Sequence, residues 1–202
     1  METSRLERLA PLAGVLFTVI FAVGFLSTGD TPDVDASAQE VIDHYDDSGP
    51  ILLGALLLLV GAVVFMFFAG ALRRRLADVG SEWLATVGFA GAAIYATGLG
   101  LFMSSQISLI DAADKELGDA AVALNVVDND NFGPCAIGLA IVLLASAWHV
   151  LSTRSLPVWL GWLALVIGII ALAGPLGFIA FLAFPIWVLL VSVTLYRATP
   201  AA

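Results

Sequence analysis

The 202 residues include one cysteine, one lysine and two histidines. With Cys135 alone, an internal disulfide and a CxxC redox pair are both excluded. A lone thiol in an apolar stretch reads as a small buried apolar residue. His44 and His149 fall on opposite sides of the topology derived below, so they cannot share a metal. Basic charge is scarce: Lys plus Arg number 8 against 17 acids, a net charge of -9. A basic nucleic-acid face is therefore absent. Charge of either sign is also missing from long stretches, and no Asp, Glu, Lys or Arg lies inside any of the apolar runs. Intramembrane ionisable groups mark ion paths and proton relays, so an ion-coupled pump is disfavoured.

What remains is apolar. Hydrophobic residues make up 60% of the chain, and the mean hydropathy is +1.01. Soluble domains sit nearer half. The stretch Pro50 to Leu72 has no charge; as a helix it would run about 35 Å, enough to cross a hydrocarbon core of roughly 30 Å. Asp46 and Asp47 precede it, and Arg73, Arg74 and Arg75 follow it. Arginines in short loops stay cytoplasmic, which orients the segment.

The other runs follow from this one. Residues 10–28 form a first span after Arg5 and Arg8. A cleaved signal peptide is not expected there, because Asp30, Pro32, Asp33 and Asp35 separate the apolar run from the Ala-Ser-Ala triplet. Ser37 and Glu40 form a capping box that opens a short outer helix to about Tyr45, with Val41, Ile42 and Tyr45 able to face the bundle. Spans are expected at 50–72, 84–104 and 131–151. Pro157 to Tyr196 is 40 residues without a charge, about 60 Å as one helix, so it must fold back. Gly174-Pro175 is the turn, giving spans at 157–173 and 176–196. Pro185 should kink the last of them. Between Asp111 and Asp130, Leu117, Ala120, Ala121, Leu124 and Val127 recur at helical spacing and suggest a surface helix with that apolar face.

The expected fold is thus all-α: a polytopic membrane protein, one six-helix bundle with short outer surface helices. Both termini are expected on the cytoplasmic side of a bacterial plasma membrane. All seven arginines and none of 13 of the 17 acids fall inside in this layout. Trp83, Trp148, Trp159 and Trp162 fall near the inner interface, where indoles prefer to sit.

The runs SAQEVIDHYDDSGPILLGALLLLVGAVVFMFFAGALRRRLA and SLPVWLGWLALVIGIIALAGP cover Ser37–Ala77 and Ser155–Pro175. They resemble a family of uncharacterised multi-span membrane proteins common in high-GC bacteria. The resemblance implies a multi-span fold and supplies no catalytic residues. Val158 departs from it, standing where a basic residue is expected after the proline.

Chemistry is sparsely signalled. Small residues recur on two spans, among them Gly61 and Gly91, and mark faces where helices pack closely. Leu58 is assigned to the lipid-facing side. Tyr95 and Trp187 read as core aromatics whose polar tips find partners, with a ligand cavity as the sharper reading. Ser104, Ser105 and Ser108 lack a base other than His44, which argues against a serine hydrolase. His149 reads as interfacial. Residues 128–133, DNDNFG, resemble half a calcium loop, but Phe132 and Leu139 stand where ligands belong. Asp128, Asp130, Asp43, Asp46 and Asp47 are the metal candidates, since both sets sit at the outer boundary and like charges brought together favour a divalent cation. The alternative is a solvated acidic surface.

No catalytic residue or cofactor is implied. The leading function is a non-enzymatic protein that binds membrane lipids, a protein partner or a second copy of itself. A small transporter or channel for a neutral or cationic solute, and a membrane enzyme with an outer-face site, are the alternatives. The topology has a direct test in a Cys135→Ala background. A cysteine at Asp43 should react with an impermeant thiol reagent in intact cells, and one at Asp78 should not. The reverse pattern would overturn the layout.

Overall fold

The computed structural model describes residues 9–198. The arginines at positions 5 and 8, and both chain ends, lie outside the described residues. All the described secondary structure is helical. A short 3-10 turn, Ala10–Leu12, leads into α1 (Ala13–Thr28); α2 is Ala38–Tyr45, α3 Ser48–Val79, α4 Glu82–Asp114 and α5 Gly118–Asp130. Then come α6 (Gly133–Thr153), α7 (Val158–Ile170), a 3-10 turn at Gly174–Leu176 and α8 (Gly177–Ala198).

Five of the helical segments are long and apolar enough to cross a membrane, and α7 is a shorter apolar helix of 13 residues. Their outward surfaces fit lipid rather than water: Leu26, Phe67, Val63, Ile169, Leu172 and Ile179 are all more than half exposed. Contiguous exposed apolar surface on this scale marks a membrane or partner interface. Trp83, Trp148, Trp159 and Trp162 are likewise exposed.

The long helices pack in a ring. Neighbours run α1, α3, α4, α6, α7, α8 and back to α1. Rings of Phe17, Phe65, Tyr95 and Phe184 fill the centre, each fully buried, with centroids 5.0 Å apart for Phe17–Phe65, 5.3 Å for Phe65–Tyr95 and 4.9 Å for Tyr95–Phe184. Such tilted and edge-on pairs contribute about 0.5–1.5 kcal/mol each beyond the area they bury. Trp187 donates its indole N–H to the Leu160 carbonyl at 3.1 Å. The Tyr95 hydroxyl has no hydrogen-bond partner, so the expectation of a satisfied polar tip holds for the first ring and fails for the second.

Glycines set the closest approaches. A Cβ on Gly91 would stand 2.7 Å from Ile141 and 2.8 Å from the Val142 nitrogen, and one on Gly54 would stand 2.6 Å from the Gly24 carbonyl oxygen. These are the α4–α6 and α3–α1 crossings. Gly61 is looser, with Ile20 at 3.4 Å from its would-be Cβ. Leu58 lies on the same face and is 1% exposed. Its assignment to lipid is corrected: it follows Gly54 by four residues and precedes Gly61 by three, which places it on the packed stripe.

Several boundaries move. The helix α4 continues ten residues past the expected end at Ser104. The serines there do not stop it, because Ser104 and Ser108 return their hydroxyls to carbonyls four residues earlier. At 33 residues, α4 is about 50 Å long and projects beyond a hydrocarbon core. At the other end α3 runs through the three arginines to Val79, and Arg73 reaches Glu82 at 3.7 Å across the turn between α3 and α4. The Gly174-Pro175 reversal is present, with Gly174 at φ +59°, a conformation that glycine adopts without a Cβ penalty. Pro185 lies inside the continuous helix α8.

The glycine contacts predict unequal responses to one added methyl. Gly91→Ala should lower stability by about 1–3 kcal/mol through overpacking. Gly61→Ala meets only ordinary contacts and gains helix propensity, so it should be neutral or stabilising by up to about 1 kcal/mol. Unfolding both variants and the wild type in one detergent checks the order.

Candidate functional site

The end of the bundle where α4 projects carries a second layer. Val41 and Tyr45 of α2 bury against Leu109, Ile110, Ala112 and Ala113 on the projecting end of α4, joined by Ala121 of α5. The capping box starts α2 as expected, with the Ser37 N–H donating to Glu40 Oε2 at 2.7 Å. Burying Val41 and Tyr45 contributes roughly 1.5–3 kcal/mol per side chain. This small core holds α2 and α5 over the bundle.

Beneath α5 the buried groups are polar. Asp128 is 6% exposed and Asn125 1%. The Ser105 hydroxyl donates to Asp128 Oδ1, and the Gln106 amide donates to Oδ2 at 2.8 Å. Tyr45 donates its hydroxyl to Gln106 Oε1 at 3.4 Å. Thr31 supplies a further side-chain hydrogen bond to Asp128. Asn125 and Asn129 donate to the carbonyls of Asp33 and Pro32, at 2.8 Å and 3.1 Å. One helix turn of α5 therefore ties together α4, α2 and the loop after α1.

Electrostatics follow from burial. Desolvation raises the Asp128 carboxyl above its ordinary range, and the hydrogen bonds from Ser105, Gln106 and Thr31 only partly oppose it. Burial, aided by the Asp128 charge, pushes the Tyr45 phenol up as well. Every group bonded to Asp128 is neutral.

Alongside this cluster lies a cavity of about 800 Å³. Its polar side is formed by Thr31 and the run Asp128, Asn129, Asp130 and Asn131. Its apolar walls include Phe25 of α1, Leu99 and Phe102 of α4, Ala136 of α6, Leu172 beyond α7, and Phe178 and Phe181 of α8. Phe132 and Phe181 meet edge-on at 5.5 Å. The floor is the packed ring centre, where Leu58 and Leu99 are buried. The volume falls in the range of small-molecule sites, and the mix of apolar walls with a few polar groups is typical of them.

The five acids proposed for a metal are not brought together. Asp43, Asp46, Asp47 and Asp130 are exposed, and Asp43 accepts from Gln39 at 2.7 Å. Asp128 turns inward. Among the described residues no three His, Cys, Asp or Glu are placed to hold a metal. The calcium-loop resemblance ends in a helix terminus, since Asp128 to Asp130 close α5. His149 is fully buried rather than interfacial, with its ring 3.1 Å from where a Gly80 Cβ would stand. Cys135 is buried against Gly98, as expected.

The apolar face expected of α5 is met in part. Ala121 is fully buried and Leu124 packs against the core under α2, while Leu117 and Val127 are 51% and 55% exposed and Asn125 and Asp128 are buried instead. The helix sits on the polar end of α4, so its polar stripe turns inward.

A family-level match covers residues 12–199: a domain of unknown function, DUF4386. The chain belongs to this family. No curated protein and no solved structure matches it. For this DUF4386 chain the site is therefore read from its own geometry.

The raised Asp128 carboxyl has a signed consequence. The folded state holds that proton to higher pH than the unfolded chain does. Its contribution to stability is full below the ordinary aspartate range and is lost as pH rises through the raised value. Asp128→Asn should flatten this pH dependence and not lower the melting temperature at pH 7, its oxygen accepting from Gln106 and its amide donating to the Ser105 hydroxyl, which turns to the Phe102 carbonyl at 2.8 Å. Asp128→Ala should cost about 1–3 kcal/mol by stranding buried donors. Melting curves across pH in one detergent separate the two.

Proposed function

We propose that this chain is a six-span protein of a bacterial plasma membrane, with both termini cytoplasmic, that binds an amphiphile from the outer leaflet without transforming it. The cavity of about 800 Å³ carries this reading. It joins apolar walls to a polar mouth, the same order in which a lipid joins chains to headgroup. The exposed flanks Ile137, Leu172 and Phe178 are apolar wall residues, which suits entry of a chain from lipid.

The ring centre favours binding over conduction. Phe17, Phe65, Tyr95 and Phe184 are each 0% exposed, pack tilted or edge-on, and meet the cavity wall where Tyr95 lies 6.3 Å from Phe181, which supports a pocket with no passage through the ring centre. Catalysis has little support: the Ser105 hydroxyl meets the Asp128 carboxyl, but no histidine lines the cavity to relay a proton between them, and His44 packs edge-on against Tyr45 at 4.9 Å. A nucleophile needs a base in reach.

Native mass spectrometry of the detergent-released protein tests this. The wild type should carry an adduct of lipid mass. Ala136→Trp, which fills the cavity, should lose the adduct with an unchanged melting temperature. The same adduct on both proteins would place the lipid elsewhere and contradict the reading.

A further inference from the structure

We infer that the cavity selects an amphiphile whose headgroup is a protonated amine, held by Asp128 at the cavity mouth. This rests on the cavity being a binding site, and it names the ligand class. Asp128 lines the cavity and is 6% exposed. Its hydrogen-bond donors are a hydroxyl and an amide from α4 and a hydroxyl from Thr31. All are neutral. A buried carboxylate is costly unless a cation pairs with it, and no Lys, Arg or His lines the cavity among the described residues.

A buried acceptor without a partner lies close by. Asn125 Oδ1, on the residue one turn before Asp128, receives no hydrogen bond, though Asn125 does not itself line the cavity. Buried polar atoms without partners call for explanation. An ammonium group offers several donors and no acceptor, so it suits a mouth that carries two carboxyls, Asp128 and Asp130, and no cationic side chain. The Asn125 amide N–H already goes to the Asp33 carbonyl, and that of Asn129 to the Pro32 carbonyl. Phe132, Phe178 and Phe181 add aromatic surface, and ring faces attract ammonium ions. An anionic headgroup would meet Asp128 and Asp130 with no cation to offset them.

Equilibrium binding of radiolabelled tetradecylamine and tetradecanol, to the full chain in phosphatidylcholine nanodiscs at neutral pH, tests the inference. The two probes share a chain and differ in headgroup charge. Wild type should bind the amine about tenfold more tightly or better. Asp128→Asn should bring the amine within about twofold of the alcohol and leave the alcohol unchanged. Equal binding of both probes to wild type, or an amine preference that survives Asp128→Asn, would overturn the amine assignment while leaving the cavity reading standing. If Asp128→Asn does not fold, the wild-type preference in about 0.5 M sodium chloride decides, because a buried pair resists screening and a surface potential does not. Persistence supports the pair, and collapse overturns it. Failure of the cavity reading looks different: neither probe binds saturably, or Ala136→Trp leaves tetradecanol binding intact.

Discussion

A hydrocarbon core offers no water to backbone or side-chain polar groups, so each must be satisfied within the protein or kept out. The architecture follows from that constraint. The backbone is helical throughout the apolar stretches. Thr97 and Thr194 return their hydroxyls to carbonyls four residues earlier. Thr18 bonds to the Gly14 carbonyl at 2.9 Å and to the Pro185 carbonyl at 3.0 Å, linking α1 to α8. With polar side chains so restricted, helix contacts rely on shape, and glycines at the α1–α3 and α4–α6 crossings let the backbones approach.

Polar chemistry is displaced to the ends, and the two ends differ. One end holds Arg73 and Glu82 in an exposed pair, which contributes little to stability. The other end buries a carboxylate. Asp128 is tolerated because α4 projects beyond the bundle and presents Ser105 and Gln106 to it, and because α2 roofs the contact with Tyr45. The same projection creates the cavity, since α5 and the loop after α1 stand above the gap between α4, α6 and α8. Phe25, Phe178 and Phe181 line that gap. A pocket with a polar rim and an apolar body is the arrangement on which the binding reading rests.

Much of this order was legible beforehand, wherever a local rule acts alone. The Ser37–Glu40 capping box, the Gly174-Pro175 reversal and the apolar runs each depend on near neighbours in sequence. Tertiary context decided the rest. The polar residues from Ser104 onward suggest where an apolar span ends, but α4 itself runs on to Asp114 because Ser104 and Ser108 satisfy their hydroxyls on its own backbone. Helix α5 buries Ala121 and Leu124 of the apolar spacing, and with them two polar residues that the spacing does not select. Its partner is the polar end of α4, so Asn125 and Asp128 go inward and Leu117 and Val127 go outward. The signal was present as two unsatisfied sets, Ser105 with Gln106 and Asn125 with Asp128 at one-turn spacing, but nothing local joined them. Leu58 was misplaced by weighing Gly54 and Gly61 without the large residue between them on the same stripe.

The central claim is that α5 is docked on the bundle through a buried polar turn and forms the rim of the cavity. Hydrogen exchange of the full chain in nanodiscs measures that directly. Amides of residues 121–128 should be protected to a degree comparable with the outer end of α4, because opening them would break the Asp128 contacts and expose the core beneath α2. Exchange of that segment at the rate of an unstructured peptide, with α4 still protected, would contradict the account.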